Sequence, residues 1–381
     1  MSTTTLRVIL DQVGNEAPSG VGRYALELTR QLTSTAPRGC DVMGIVPSSP
    51  EAEYARIEAE LPGLSRLFKS ALDRRQLRAA WQHGFTRLPG AGMVHAPSLF
   101  APLRRHDRVN SPGEQIVVTV HDAVPWTHPE TLSPSSVSWA RAMARRAERY
   151  ADAVVVPTHA VAEQLGAALD LGDRIRVIAG AVSSTLVVPG DADERAERLG
   201  LPPRYVLAVG PFEARKGISE LLWALADPTA LNIPLVLAGP TNSADLGIEA
   251  VRSAARLAPE QVLTLGTVHD PDLAVAYDRA SAVVVPSLAE GFALPVLEAM
   301  SLGTPVIHSD APALVELAAD AGIVVDRDDY AGYPRRIAEA IRRVIEEPLL
   351  AEDLAIRGHD RARAFTWRDA AEKTWQLHAD L

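Results

Sequence analysis

The stretch YVLAVGPFEARKGISELLWAL, Tyr205 to Leu225, decides the fold. It opens with an unbroken apolar run that stops at Gly210, and it closes with apolar residues at helical spacing behind Arg215-Lys216-Gly217. An apolar run without polar alternation suits a strand buried on both faces, as in a parallel sheet. A strand followed at once by a helix is the βα unit of such a sheet.

The same unit recurs in both directions along the chain. Downstream come PLVLAGP, QVLTLG, SAVVVPS, TPVIHSD and GIVVD, each followed by a helical stretch. Upstream come LRVIL, DVMGIVP, GMVHAP, QIVVTVHD, DAVVVPT and IRVIAG, with a helix expected from about Gly22 to Leu32 after the first. Two series result, separated by SSTLVVPGDADERAERLGLPP, which is rich in Pro, Gly and acid. The expected fold class is α/β: two doubly wound parallel-sheet, Rossmann-like domains facing a cleft. The expected boundaries are 1–183 for the first domain and 184–366 for the second, with 184–203 as linker and 367–381 as a final amphipathic helix. A chain of 381 residues is long enough for two such cores.

Composition narrows the function. Hydrophobic residues make up 47% and charged residues 23%, as in a globular protein. No apolar run is long enough to span a membrane, and no secretory signal is visible. Cys40 is the only cysteine, which removes internal disulfides and cysteine metal sites and fits a reducing cytoplasm. Residues 1–183 carry 20 basic against 18 acidic side chains, and the remainder 18 against 30. General nucleic-acid binding is disfavoured, and an anionic ligand in the second half needs a local positive site.

Four constellations carry chemistry. In PSLAEGFALPVLEAMSLGTPVIHSD, Pro286 to Asp310, Glu290 sits in a turn after a buried strand. A short helix, expected from Pro295 to Leu302, holds Glu298 near its start. Backbone N–H groups around Phe292, Ala293, Leu294 and Pro295 form a helix N-terminus suited to an anion. The flanking carboxylates can accept from sugar hydroxyls, or merely complement the helix dipole. In GPFEARKG, Arg215 and Lys216 precede a helix, the wrong charge for its dipole unless a doubly charged anion docks there. In SGVGRYALEL, Gly20 and Gly22 read as a glycine turn that brings backbone N–H groups close to a phosphate. The same glycines match a weak dinucleotide fingerprint, Gly20-x-Gly22-x-x-Ala25. In VVTVHDAVPWTHPET, His121 and Asp122 end a buried strand, where function outweighs a structural role. His95 also ends a strand and is a weaker candidate for lining an acceptor pocket.

With those residues in place, the chain resembles family 4 retaining glycosyltransferases of the GT-B fold over nearly its whole length. The most specific match is the Glu-x7-Glu signature from Glu290 to Glu298; GPFEARKG, SGVGRYALEL and VHDAVPWTHPE follow. The bacterial mannosyltransferase-like subgroup that builds surface polysaccharides is the most similar. The resemblance implies that Glu290 holds donor-sugar hydroxyls, Glu298 the ribose, and Arg215 with Lys216 the diphosphate. It also implies Gly22 near the phosphates, His121 beside the transferred sugar, the base near Gly239 and Val268, and a final helix that packs back on the first domain. Three departures stand out: Ala293 replaces the usual glycine and resists positive φ, GAVSS replaces GVD at the hinge, and PTHA replaces a serine-containing turn.

The implied reaction moves a hexose, with mannose favoured, from a nucleoside diphosphate sugar to a glycan or lipid-linked hydroxyl. Configuration is retained, with no metal and no cofactor, and GDP-mannose is the favoured donor. Charge on the leaving oxygen is stabilised by Arg215, Lys216 and the helix end, and the departing phosphate accepts the acceptor's proton. Asp326-Arg327-Asp328 resembles a metal-binding D-x-D and is read as a solvated turn; Asp270-Pro271-Asp272 is read as helix capping. An NAD-linked oxidoreductase and a non-catalytic nucleotide-sugar or glycan binder of the same fold stay as alternatives. The stretch SRLFKSALDRRQLRAAWQHGFTRL carries Arg66, Lys69, Arg74, Arg75, Arg78 and Arg87, with Leu67, Phe68, Leu77 and Trp81 as apolar bulk. It reads either as a solvated helix face or as a peripheral contact with the inner face of the cell membrane. Arg141, Arg145 and Arg149 form a second basic stripe of the same kind.

Overall fold

The computed structural model describes residues 4–13, 19–85, 88, 92–107, 110–111, 113–240 and 245–381, with the side chains of 245 and 246 outside the description. Arg87 of the basic stretch lies outside the described residues. The chain divides into two compact units, Met1–Gly180 with Thr366–Leu381, and Ala181–Phe365.

The first unit contains β1 (Thr4–Ile9), α1 (Gly20–Ser34), β2 (Cys40–Val46), α2 (Glu51–Glu60), β3 (Arg66–Lys69), α3 (Arg74–His83), β4 (Met93–Ala96) and β5 (Ile116–Thr119). It continues with α4 (Val124–Thr127), α5 (Pro134–Tyr150), β6 (Ala153–Val156), α6 (His159–Ala168) and β7 (Ile175–Val177). The strands form one parallel sheet in the order β3-β2-β1-β4-β5-β6-β7. β4, β5 and β6 are buried along their whole length, as their unbroken apolar runs require. Sequence reading missed β3. Its Leu67 and Phe68 pair with Gly44 and Ile45 of β2, and Gly44 leaves room for the Leu67 side chain, whose Cδ1 is 2.9 Å from where a Cβ would stand. In α3, capped at Asp73 by a capping box with Gln76, Leu77 and Trp81 face the core. Leu77 and Trp81 of the basic stretch are therefore packed inside the unit, while Leu67 and Phe68 of β3 are half-buried.

The second unit contains α7 (Ala192–Leu199), β8 (Val206–Val209), α8 (Ile218–Leu225), β9 (Leu235–Ala238), α9 (Asp245–Ala254), β10 (Val262–Gly266) and α10 (Asp270–Asp278). Then follow β11 (Ala282–Val285), α11 (Leu294–Ser301), β12 (Val306–Ser309), α12 (Pro312–Ala318), β13 (Gly322–Val325), α13 (Tyr333–Glu346) and α14 (Pro348–Ala362). All six strands foreseen from the sequence are present, in the parallel order β10-β9-β8-β11-β12-β13. Two apolar layers cover the sheet, one under α10, α11 and α12, the other under α8 and α13. The stretch read as a linker carries α7, whose Arg195 and Arg198 pair with Asp272 of α10 at 2.7 and 2.8 Å.

The last helix, α15 (Trp367–Asp380), belongs to the first unit. Thr366 caps it, and it packs along α1. The Trp375 indole N–H donates to the Leu32 carbonyl at 3.2 Å, and Trp367 meets the edge of Tyr24.

Candidate active site

In the second sheet, β8 and β11 are neighbours whose following connections run to opposite sides, β8 towards β9 and β11 towards β12. The loops beyond the carboxyl ends of such a strand pair diverge and leave a crevice. Those loops carry Glu213, Arg215 and Lys216 after β8, and Ser287 and Glu290 after β11.

The two loops are tied by backbone. The Leu288 N–H donates to the Arg215 carbonyl at 2.7 Å. Gly217 adopts φ +66°, and a Cβ there would stand 2.1 Å from the Pro286 carbonyl oxygen. Only glycine permits that approach. The cations therefore do not open α8 as the sequence suggested. They lie on a separate 3-10 turn, Ala214–Lys216, and α8 starts beyond the glycine at Ile218.

Glu290 is the hub. Its Oε1 accepts from Lys216 Nζ at 2.5 Å and from the Ser287 hydroxyl at 2.7 Å, while Arg215 Nη1 lies 3.7 Å from Oε2. The carboxylate is buried, its side chain 7% exposed. Burial pushes its pKa up, but Lys216, Arg215 and the hydrogen bonds from Lys216 and Ser287 together hold it below the ordinary value. Arg215 makes its closest ion pair with Glu213, at 2.8 Å. Ser287, itself buried, was not singled out from the sequence; a serine after a strand is too common a signal.

Glu298 lies within α11, which runs Leu294–Ser301, one residue earlier than expected. It is buried, and the Tyr277 phenol donates to its Oε2 at 2.7 Å. Ala293 takes φ +49°, ψ +68° directly before α11, so it adopts the left-handed conformation its glycine counterpart would favour. The N–H groups of Leu294, Pro295's neighbours and the first turn follow from there, although Pro295 itself donates none. The Phe292 ring packs on the core and against Phe365. Gly239 follows β9 at φ +155°, 2.3 Å from the Gly210 carbonyl oxygen if a Cβ were added. Its N–H donates to the Gly266 carbonyl at 2.8 Å, which brings the segment holding Val268 beside it.

In the first unit the corresponding divergence lies between β1 and β4. Gly20 and Gly22 do not form a turn ahead of α1. Ser19 caps the helix, its hydroxyl accepting from the Gly22 N–H at 3.2 Å, so both glycines are in the first helical turn. His121, beyond β5, donates from Nε2 to the Pro97 carbonyl at 2.7 Å and meets the edge of Tyr24. Burial lowers its pKa against the opposing pull of that bond and Asp122, which favours a neutral ring with Nδ1 as acceptor. Asp11, just past β1, was overlooked: burial raises its pKa although Arg74 lies 2.9 Å away. His95 is wholly buried between β4 and α15, with His378 Nε2 at 3.4 Å from its Nδ1, and lines no opening.

Asp310, Asp326 and Asp328 bring carboxylate oxygens within 4.8 Å of one another. Asp310 pairs with Arg327, whose guanidinium also reaches the Leu288 carbonyl, so the cluster is partly neutralised from within. Asp270 and Asp272 lie in the first turn of α10, where acids complement the helix dipole.

The chain is similar to known proteins along both of its halves. Residues 18–186 match the family model described as Glycosyltransferase Family 4, and residues 191–361 match that of Glycosyl transferases group 1. O-antigen chain mannosyltransferase B of Escherichia coli is 27% identical, covering 93% of this chain and 94% of its own length. Among solved structures, sucrose-phosphate synthase from Thermosynechococcus elongatus superposes with TM-score 0.77 at 20% identity, over 99% of this chain and 98% of that one. The Anabaena protein HepE in complex with UDP-glucose gives TM-score 0.73 at 18% identity, over 99% and 100%. Two parallel α/β units, each with a point where its sheet's connections diverge, and family matches along both halves lead to one conclusion: the chain belongs to the family 4 glycosyltransferases of the GT-B fold, with a bacterial mannosyltransferase-like affinity.

Proposed function

We propose that this chain transfers a hexose, with mannose favoured, from a nucleoside diphosphate sugar to a hydroxyl of a glycan or lipid-linked sugar, with retention of configuration and without a metal. The observation that carries this reading is the hub at Glu290, a buried carboxylate held ionised beside two cations, Arg215 and Lys216. Mannose is favoured because the E. coli relative is named a mannosyltransferase. A nucleotide sugar is favoured because HepE is described with UDP-glucose.

Each group has a task in this scheme. Arg215 and Lys216 hold the diphosphate and stabilise the charge that grows on the leaving oxygen, together with N–H groups at the start of α11. Glu290 stays ionised and accepts from sugar hydroxyls, fixing the reacting carbon; it is a positioning group and not a nucleophile. Two glycosidase-type carboxylates would have to face each other across the bond, whereas Glu290 is bound on one side by Lys216 and Ser287. Glu298, oriented by Tyr277, accepts from the ribose. The base lies near Gly239 and Val268. In the first unit, His121 presents a neutral ring whose Nδ1 can accept from a sugar hydroxyl. The leaving phosphate takes the acceptor's proton.

A thermal-shift panel with GDP, UDP, ADP and TDP, in chelator and then with Mg2+, tests this. One nucleotide raises the melting temperature in chelator, and both Arg215→Ala and Glu298→Ala abolish the rise. If no nucleotide shifts the melt, or if the shift needs Mg2+, the proposal fails in its donor or its metal-free part respectively. Turnover of the bound sugar nucleotide, with the anomer of the product read by NMR, separates a transferase from a silent binder.

A further inference from the structure

The two cations of the candidate site are already neutralised by two carboxylates of the chain itself. Lys216 is held by Glu290 at 2.5 Å, and Arg215 by Glu213 at 2.8 Å. The acids differ in how firmly they are fixed. Glu290 is 7% exposed and receives Lys216, Ser287 and the more distant Arg215. Glu213 is 44% exposed, and Arg215 is its one ion-pair partner among the described residues. It ends an extended segment just before the 3-10 turn, and the Lys216 N–H donates to its backbone carbonyl, not to its side chain.

A doubly charged anion that docks on Arg215 and Lys216 meets a pair of charges that is already satisfied. One acid must leave. Removing Glu290 from its cations would leave a buried carboxylate without a counter-charge, which is strongly unfavourable. Releasing Glu213 exposes a carboxylate that can return to water, and a half-exposed ion pair is weak enough to be broken. The Arg215 backbone does not depend on Glu213 for its position, since the Leu288 N–H already holds its carbonyl at 2.7 Å.

We propose that Glu213 is a displaceable counter-ion: it occupies Arg215 in the empty site, is exchanged for a diphosphate oxygen when donor binds, and takes Arg215 back when the nucleoside diphosphate leaves. This rests on the reading of Arg215 and Lys216 as the diphosphate clamp. The exchange limits the charge built up on binding: the empty site is neutral, and with the diphosphate in place of Glu213 it carries about one negative charge. It sets donor affinity below what the two cations alone would give and favours release of the doubly charged product.

Isothermal titration of the full chain with GDP and with UDP, at low salt, tests the idea in four variants: wild type, Glu213→Gln, Arg215→Ala and the double substitution. Glu213→Gln is expected to bind the nucleotide about five-fold more tightly, the scale of one exposed ion pair. That gain is expected to vanish when Arg215 is alanine. Glu213→Ala serves as a second variant with the same expected sign. If Glu213→Gln binds equally or more weakly while Arg215→Ala still weakens binding, Glu213 pre-organises Arg215 or does nothing, and the counter-ion proposal is overturned alone. If Arg215→Ala binds like wild type, the clamp reading beneath it falls as well.

Discussion

Replacing Lys216 with methionine keeps an unbranched side chain, one heavy atom shorter, and removes its charge and its hydrogen bond to Glu290. Glu290 then remains buried with the Ser287 hydroxyl and with Arg215 at 3.7 Å. Breaking a fully buried ion pair by removing one partner costs about 3–5 kcal/mol. Lys216 is 14% exposed and Arg215 stays, so a smaller loss of about 2–3 kcal/mol is expected at neutral pH. For a unit of this size that is roughly 4–12 °C in melting temperature. The pH dependence gives the sharper test. In wild type the folded Glu290 carboxyl sits below its ordinary value of 4.5, so its contribution is present above that value and is lost as pH falls through the folded pKa. Without Lys216, burial becomes the dominant influence and the folded pKa rises above 4.5. The variant then loses stability as pH climbs from there, and its deficit is larger at pH 7.5 than at pH 5. Scanning calorimetry of the full chain at both values resolves the melting of the second unit. A deficit under about 0.5 kcal/mol at pH 7.5, or one as large at pH 5, would refute the view that Lys216 is what keeps a buried carboxylate ionised.

Three further outcomes are expected. Gly217→Ala places a methyl on the Pro286 carbonyl and forces alanine to φ +66°; it should lower the melting temperature and weaken nucleotide binding together, since the turn carrying Arg215 and Lys216 must shift. Tyr277→Phe keeps the buried ring but removes its hydrogen bond to Glu298; a loss of about 0.5–1.5 kcal/mol, the scale of one intramolecular hydrogen bond, should appear in denaturant unfolding. Burial lowers the His95 pKa from 6.5 to about 4, so its contribution to the first unit is present above pH 6.5 and is lost as pH falls towards 4. His95→Phe should flatten that part of the melting-temperature profile, and an unchanged slope would show that another group carries it.

Much of the architecture could be read along the chain because its causes are local. Strands buried on both faces need unbroken apolar runs, and VLAV, LVLA and AVVV have them. β3 was not legible: its exposed Arg66 and Lys69 flank only two apolar residues, and its identity depends on pairing with β2. In the basic stretch, Arg74 and Arg75 of α3 are exposed, as a solvated helix face requires, while Leu77 and Trp81 are buried. Leu77 and Trp81, four positions apart, share one face of α3 and pack on the core. The glycines Gly20 and Gly22 were misplaced because Ser19 captures the helix start two residues before it was expected.

The sequence by itself determined the fold class, the pairing of an acidic signature with a basic one, and which strand ends carry them. Those follow from hydrophobic period and from residue types that act over a few positions. Only the tertiary structure decided how the charges are matched. It set Lys216 and Ser287 on Glu290, left Arg215 to Glu213, and laid Tyr277 against Glu298. These partners come from different loops and helices, and the strength of an ion pair depends on distance and burial, quantities that no spacing along one strand or helix contains.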